Sequence, residues 1–444
     1  MTNIELSELI RDKAYAELSD ALYETNEVDI ADILQTLPPA EAVTVFRLLK
    51  KDQAADVFAE LDSDVQQNII NSISNAEIED LVEDLNVDDA VDLVGELPAN
   101  IVKRVLKNAR PDTRTLINRF LNYAPDSAGS IMTAEYLDLK KGLTASQAIN
   151  RIRTCGADKE TVYVCYVTDA RRVLEGVVSF RDLLLADGDE TIEELMNREV
   201  VSVHTDDDRE EVAGVISHYG FLAVPVVDAE NRLVGIVTVD DAIDVIERET
   251  TEDFHKMAAV LPSDEAYLDT PVYALARNRV VWLLVLMVSS TLSGMVLSGF
   301  EHALTAVPAL VTFVPMLMGT AGNAGTQVST TIIRSFAVGE LTTRDWRAVV
   351  KKELAASFLV GATLAAANFL RILIWPGGLM LALSVSLSLF AAVLIAKLCA
   401  ALLSVGAKAV GIDPAVMAAP LLTTVVDITS LLIYFFVSAA LLGL

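Results

Sequence analysis

Cysteine and histidine are scarce in this chain. Its 444 residues include 3 cysteines, Cys155, Cys165 and Cys399, at spacings that suit neither a disulfide framework nor a thiolate metal site. They are expected to be free thiols in a reducing compartment. The 4 histidines, His204, His218, His255 and His302, are scattered, so no soft-ligand site for zinc or copper is visible. No Gly-Lys-Ser/Thr follows the glycines at 319, 322 and 325, which excludes a phosphate-binding loop, and no nucleotide-hydrolysing motif is present. The first residues hold neither a basic segment nor an apolar one. No cleavable signal is therefore expected, and the first part of the chain is expected to stay in the cytoplasm.

Charge is absent from long stretches of the second part and abundant in the first. From Pro271 onward there are 10 basic and 6 acidic residues, which leaves 24 basic against 56 acidic before it. Such an acidic surface is a poor partner for nucleic acid and a good one for cations. Five apolar segments follow, Val280–Phe300, Ala303–Ile333, Leu354–Trp375, Leu379–Ala407 and Pro414–Leu444, each long enough to cross a bilayer. With the N-terminus inside, the loop holding Arg344, Arg347, Lys351 and Lys352 is expected to be cytoplasmic, and Glu301, His302 and Leu444 to lie outside. Arg371 is near enough to an outer end to snorkel. Lys397 is deeper, and its depth favours a cavity between helices over the interface.

Ahead of the spans, an apolar-apolar-x-x-apolar pattern recurs every twelve residues, beginning at Ile33, Val45, Val57, Ile69, Leu81, Leu93 and Val105. Each unit predicts one short helix, and Pro38, Pro98 and Pro111 fall just past unit ends, so a stack of short helices is expected. From about Ser130 to Glu247, β-branched runs alternate with helical ones. The run Val177–Asp182 recurs 59 residues later as Ile236–Asp241, each a buried strand turning into a helix with Ser179 or Thr238 three residues before an acid. This repeat resembles a tandem pair of CBS modules. The resemblance implies nucleotide binding through Ser179, Arg181, Asp182 and Thr238, although a Ser or Thr beside an Asp is equally an ordinary helix cap.

Asp427 is the sole charge between Pro414 and Leu444. A carboxylate at the centre of a membrane helix is unfavourable by roughly 2.5–3.5 kcal/mol, so it should face a bundle interior, a partner or a wet ion path, with a snorkelling or helix-pairing Asp as the alternative. In the second span Asn323, Thr326, Gln327 and Thr330 share one helical face. Pro315 and the glycines predict a helix that is locally broken or closely packed. Pro420, Thr423, Asp427 and Tyr434 share a face of the fifth. Two polar faces imply a water-filled path between helices. Acids also cluster in the first part: Asp88 and Asp92 are one helical turn apart, as are Asp241 and Asp244, while Glu249, Glu252 and Asp253 crowd the connector and Asp413 precedes the fifth span. Like charges at those spacings repel, and divalent ions would cancel the repulsion.

These motifs, with Asp88–Asp92, Tyr123–Thr133, Gly322–Gln327, Arg344–Trp346 and Asp413–Ala415, resemble the MgtE family of magnesium channels over essentially the whole chain. The resemblance implies a multidomain membrane protein: an acidic all-α helical repeat domain at 1–126, an α/β CBS pair at 127–247, a connecting helix at 248–276 and a five-helix transmembrane domain at 277–444. It implies a homodimer in the bilayer of a bacterial-type plasma membrane, with Mg²⁺ as substrate and regulator and no enzymatic step. The pore ion would be held at Asp427, Asn323, Gly325 and Thr423. Regulatory Mg²⁺ would be held among Asp56, Asp88, Asp92, Asp208, Glu210, Asp241, Asp244, Glu249, Glu252, Asp253 and Asp413, and ATP is a candidate ligand of the CBS pair. Where many members carry Gly, this chain has Ala419 and Ser430. The rival readings are a cation-coupled carrier or exporter on the same scaffold and a membrane-anchored nucleotide sensor without transport.

Overall fold

The computed structural model describes residues 9–10, 14–263, 267–268, 270–374, 378–418 and 420–443; Pro376, Gly377 and Ala419 lie outside them. The chain forms two compact units, Met1–Ile246 and Glu247–Leu444.

Among its described residues the first unit holds nine successive short helices: α1 (Tyr15–Tyr23), α2 (Glu27–Thr36), α3 (Pro39–Phe46), α4 (Lys51–Ala59), α5 (Ser63–Ser72), α6 (Asn75–Asp84), α7 (Val87–Glu96), α8 (Ala99–Asn108) and α9 (Pro111–Phe120). The twelve-residue repeat is the cause. Each unit buries at least one of its apolar pair, as at Leu34, Val45, Val57, Ile69, Val82, Leu93 and Val105, and helices pack on those two further along, α2 on α4, α4 on α6 and α7 on α9. Pro38 and Pro98 occupy N-cap positions and Pro111 the first turn, where a missing N–H leaves no bond unmade. Helix ends are tied across repeats. The Arg104 guanidinium donates to the carbonyls of Ile70 at 2.6 Å and Ile73 at 2.7 Å, closing the C-terminus of α5.

Two small three-stranded sheets follow. In the first, β1 (Asp138–Leu139) runs parallel to β2 (Val164–Thr168), which pairs antiparallel with β3 (Leu174–Ser179); β4 (Val203–His204), β5 (Ala223–Val227) and β6 (Leu233–Thr238) repeat the order. Helices α10 (Ala128–Ile131), α11 (Ala145–Cys155), α12 (Phe180–Leu185), α13 (Ile192–Leu195) and α14 (Arg209–Tyr219) accompany them. The modules interlock. Thr133 bridges Ile236 on the second sheet while Asn197 bridges Val177 on the first, so each sheet takes an edge from the segment ahead of the other module. The 59-residue repeat is this pseudo-symmetry seen along the chain.

Helix α15 (Val239–Met257) runs from the first unit into the second, starting nine residues before the 248 at which a connecting helix is expected. It is followed by α16 (Val272–Gly299), α17 (Glu301–Ala306), α18 (Ala309–Ala337), α19 (Trp346–Ile374), α20 (Leu379–Ala409), α21 (Pro414–Ala418) and α22 (Pro420–Leu442). Among the described residues, four helical stretches are long and apolar enough to cross a membrane: Val272–Gly299, Thr343–Ile374, Leu379–Ala409 and Leu421–Leu442. The expected second span, α18, has 29 residues, but its threonines, glycines, Asn323 and Gln327 lower its hydropathy. It is one continuous helix through Pro315, and of the two expected outcomes, local break or close packing, the second is found at Gly325.

Helix α20 is central and packs against α18, α19 and α22. Small residues four apart, Ser384, Ser388, Ala392, Ala396, Ala400 and Ser404, are buried along it and let neighbouring backbones approach. Ser384 Oγ meets Ser438 Oγ of α22 at 2.9 Å, and Ser404 Oγ meets Ser329 Oγ of α18 at 3.0 Å.

Replacing Arg104 with Met keeps the aliphatic stem but strips two carbonyls of their donor. The expected loss is about 1–3 kcal/mol of stability in the helical stack, read by denaturant unfolding followed by circular dichroism. An unchanged transition would show that water satisfies those carbonyls instead.

Candidate functional site

The polar residues of α18 divide sharply. Asn323, Thr326, Gln327 and Thr330 are exposed on the single chain, whereas Ala321, Ala324, Gly325, Val328 and Ser329 between them are buried against the bundle. The expected polar face therefore exists and is left open. Gly325 belongs to the packed side: a Cβ there would lie 3.5 Å from Leu422 and Val426 of α22 and 3.6 Å from the Ala396 carbonyl, so α22 and α20 come close at this point. Gly319 and Gly322 have open space around them.

On α22, Thr423 is exposed and Asp427 half-buried, and the Asp427 carboxylate has no hydrogen bond or ion pair among the described residues. Tyr434 departs from the expected face. It is fully buried, and its hydroxyl donates to the Leu310 carbonyl of α18 at 2.9 Å. Spacing puts Tyr434 nearly in line with Asp427, but its long side chain turns into the contact with the antiparallel α18 and satisfies its polar tip there. Ser430 is buried with its hydroxyl unpaired. Lys397 is buried within the bundle and does not reach outward, while Arg371 donates to Asn368 Oδ1 at 2.9 Å and stays exposed.

In the first unit, carboxylates converge where the helical stack meets the paired modules. Asn86, the N-cap of α7, donates to Glu160 Oε2 at 2.6 Å and joins the two. Beside it, Asp88 is only partly covered as a residue, yet its Oδ1 is enclosed without a hydrogen-bond partner. Burial, then Asp89, Asp241 and Glu160, hold the Asp88 carboxyl well above its ordinary range. Burial and the neighbouring acids push Asp89 and Glu160 to about 7. Asp241 is pushed to about 6, chiefly by burial, against the opposing hydrogen bond from Thr238. Asp56 adds to the field at Glu160, and Asp244 and Asp240 raise Glu60 after burial does. No group of three or more His, Cys, Asp or Glu among the described residues is close enough to hold a metal ready-made. The acids form a mutually repulsive cluster.

Sequence reasoning picked Asp56, Asp88, Asp241 and Asp244 from this cluster. It missed Asp89, Glu160 and Glu135, of which only Asp89 carried a signal, as the neighbour of Asp88. Asp208 stands apart as the N-cap of α14, accepting from Glu210 N at 2.9 Å, and Asp92 is exposed on α7. In the second unit Glu249, Glu252 and Asp253 on α15 meet Asp413, whose Oδ1 caps α21 by accepting from Ala415 N at 2.8 Å. Burial, followed by Asp413, raises Asp253 to about 6. The CBS-type turns are both closed as caps: Ser179 Oγ donates to Asp182 Oδ2 at 2.6 Å, and Thr238 Oγ1 to Asp241 Oδ2 at 2.7 Å. Thr238 is buried, which leaves the turn with half-buried Ser179 and exposed Arg181 and Asp182 as the more accessible one.

With this geometry in place, the comparisons are decisive. The magnesium transporter MgtE of Thermus thermophilus is 43% identical over 75% of this chain and 74% of its own length. The chain belongs to the MgtE family. Its sequence matches the divalent cation transporter profile of that family at 314–437, the MgtE intracellular N domain at 25–126 and a CBS domain at 192–248. The magnesium transporter MgtE of Bacillus subtilis is 37% identical over 73% of the chain and 71% of its own. Among solved structures, the cytosolic domain of the Mg²⁺ channel MgtE in complex with ATP aligns at a TM-score of 0.52 with 35% identity, covering 55% of this chain and all of that one. The open face of α18 and Asp427 both fall inside the MgtE transporter segment, and the acidic cluster draws on its N domain and its CBS domain.

The raised acids give this MgtE chain a pH signature. Protonation favours the folded form below the unfolded pKa near 4, and that contribution disappears as pH rises through about 6 for Asp241 and about 7 for Asp89 and Glu160. Between pH 5 and pH 8, without divalent ions, amide hydrogen exchange in Val87–Glu96 should accelerate by at least roughly tenfold beyond its intrinsic pH dependence, the equivalent of one displaced pKa unit. No excess acceleration would mean that these carboxylates are solvated.

Proposed function

We propose that this protein conducts Mg²⁺ inward across a bacterial-type plasma membrane as a homodimeric channel, and that cytosolic Mg²⁺ bound to its acidic domains closes it. The observation that carries the reading is the open polar row Asn323, Thr326, Gln327 and Thr330 on a helix of the apolar unit, with the unpaired Asp427 on the adjoining α22. Neither surface tolerates hydrocarbon, so a second copy of the chain and a wet path are the natural cover. Oxygen ligands suit a hard cation. Mg²⁺ gives up its waters reluctantly, so a carboxylate from each of two copies would hold the hydrated ion through those waters, with Thr423 and Asn323 as further polar contacts.

Closure follows from the acids. An empty cluster of Asp88, Asp89, Glu160 and Asp241 repels itself, and divalent ions that neutralise it stabilise the arrangement in which the stack is docked on the CBS pair. Helix α15 starts beside that cluster at Asp240 and Asp241 and continues to Glu252 and Asp253 in the second unit, a covalent route from sensor to path. ATP is a candidate modulator. Arg181 is exposed at the open turn, and the exposed Tyr163, whose carbonyl accepts from Phe180 N at 2.9 Å, offers a ring for a base to stack on.

Asp427→Asn keeps size and hydrogen bonding and removes the charge. In proteoliposomes its Mg²⁺ flux should fall by at least ~10-fold with dimerisation intact, since 1.4 kcal/mol of lost attraction already gives that factor; near-normal flux would sink the assignment of Asp427 as the ion-attracting group. Removing residues 1–123 should leave a conducting protein that closes only at higher internal Mg²⁺. Closure at the parent's concentration would take the helical stack out of the sensor.

A further inference from the structure

At the junction of the connector with the transporter segment, one cation is already present as part of the chain. Lys256 Nζ lies 2.7 Å from Glu252 Oε1, one turn back on α15, and 2.7 Å from Asp413 Oδ2, ahead of α21. The three side chains are only 23–33% exposed, so the contact is partly shielded from solvent screening. Burial works against the ammonium, but its hydrogen bonds to Asp413 and Glu252 outweigh burial and raise its pKa above the ordinary value. The next residue, Met257, packs against Ile333 of α18 and Ala415 of α21. Leu261 N donates to the Asn278 carbonyl of α16 at 3.0 Å, after a left-handed residue, Ala259 at φ +56°, has turned the chain at the helix end. Lys256 thus ties the connector to the cytoplasmic ends of the helices that would form the ion path.

An ion bridging Glu252 and Asp413 would need the position the ammonium holds. Glu252 and Asp413 bring two negative charges against the one of Lys256, so a divalent ion can bridge them only if Lys256 yields its two oxygens. We propose that Lys256 is a tethered counter-cation that competes with Mg²⁺ for Glu252 and Asp413 and thereby sets the Mg²⁺ concentration at which the connector locks onto the path helices. The proposal rests on the Mg²⁺-closing reading above. Two opposed consequences follow. Without Mg²⁺ the ammonium keeps the connector partly docked, and with Mg²⁺ it raises the concentration needed, because the apparent affinity is the intrinsic one reduced by the fraction of time the carboxylates are free.

The test is a Mg²⁺ titration of the full-length protein in proteoliposomes, with flux and hydrogen exchange of Val239–Met257 as readouts, for the parent and for Lys256→Met, Lys256→Gln and Lys256→Arg. In Lys256→Met and Lys256→Gln, exchange in chelator should be faster than in the parent, while the half-closing Mg²⁺ concentration should fall roughly three- to tenfold, the range for a partly shielded two-carboxylate ion pair. Lys256→Arg should stay near the parent. A purely structural staple predicts faster exchange in chelator with an unchanged or higher half-closing concentration, and that result overturns the competition alone. A parent with no Mg²⁺ response overturns the closing reading and the competition with it.

Discussion

A polar group on a helix that is otherwise apolar must find another polar surface, because hydrocarbon cannot hydrate it. The second unit is organised by this constraint. Serines 384, 388 and 404 of α20 resolve it inside the bundle through Ser438, a main-chain carbonyl and Ser329, and Tyr434 resolves it through Leu310. Asn323, Gln327, Thr330 and Asp427 are among the groups that the single chain leaves open, and they sit on α18 and α22. In the proposed function a second copy and a hydrated cation cover those surfaces.

The first unit meets the mirror image of that constraint in water. Its carboxylates crowd one another where the stack meets the paired modules, so burial and mutual repulsion raise their affinity for protons. In the proposed function this makes the first unit the part that senses the cation. Here the repulsion is spread over α7, the Glu160 segment and the start of α15, and its relief is felt by three elements at once. The second acidic group, around Asp413, already contains a cation in Lys256. The two clusters therefore differ: the second is partly compensated from within by Lys256.

Much of the architecture was legible along the chain because it is periodic. The twelve-residue repeat predicts the helical stack, and all seven apolar pairs contribute to the core. The 59-residue repeat predicts a tandem pair of modules, down to the matched strand-to-helix turns at Ser179 and Thr238, while their interlocking through Thr133 and Asn197 is seen only in the fold. The open face of α18 follows from 3.6-residue spacing alone. Spacing failed at Tyr434, where side-chain length and the approach of α18 override the helical wheel. It also gave no hint of Glu160, which lies in an irregular segment 74 residues from its partner Asn86, nor of Lys256, whose i, i+4 relation to Glu252 is ordinary until Asp413 arrives from 157 residues away.

By itself, then, the amino-acid order determined what local physics can express: which segments are apolar enough to leave water, where helices begin and end, which residues share a face, and that the acids are concentrated ahead of the spans. Tertiary structure alone decided which acids meet. Asp88 and Asp89 of α7, Glu160 and Asp241 come from three separate segments, and their raised affinity for protons exists only once folding has excluded water and set them side by side. Coulomb energy depends on distance through space and on the medium between charges, and neither quantity is written in the order of residues along a chain.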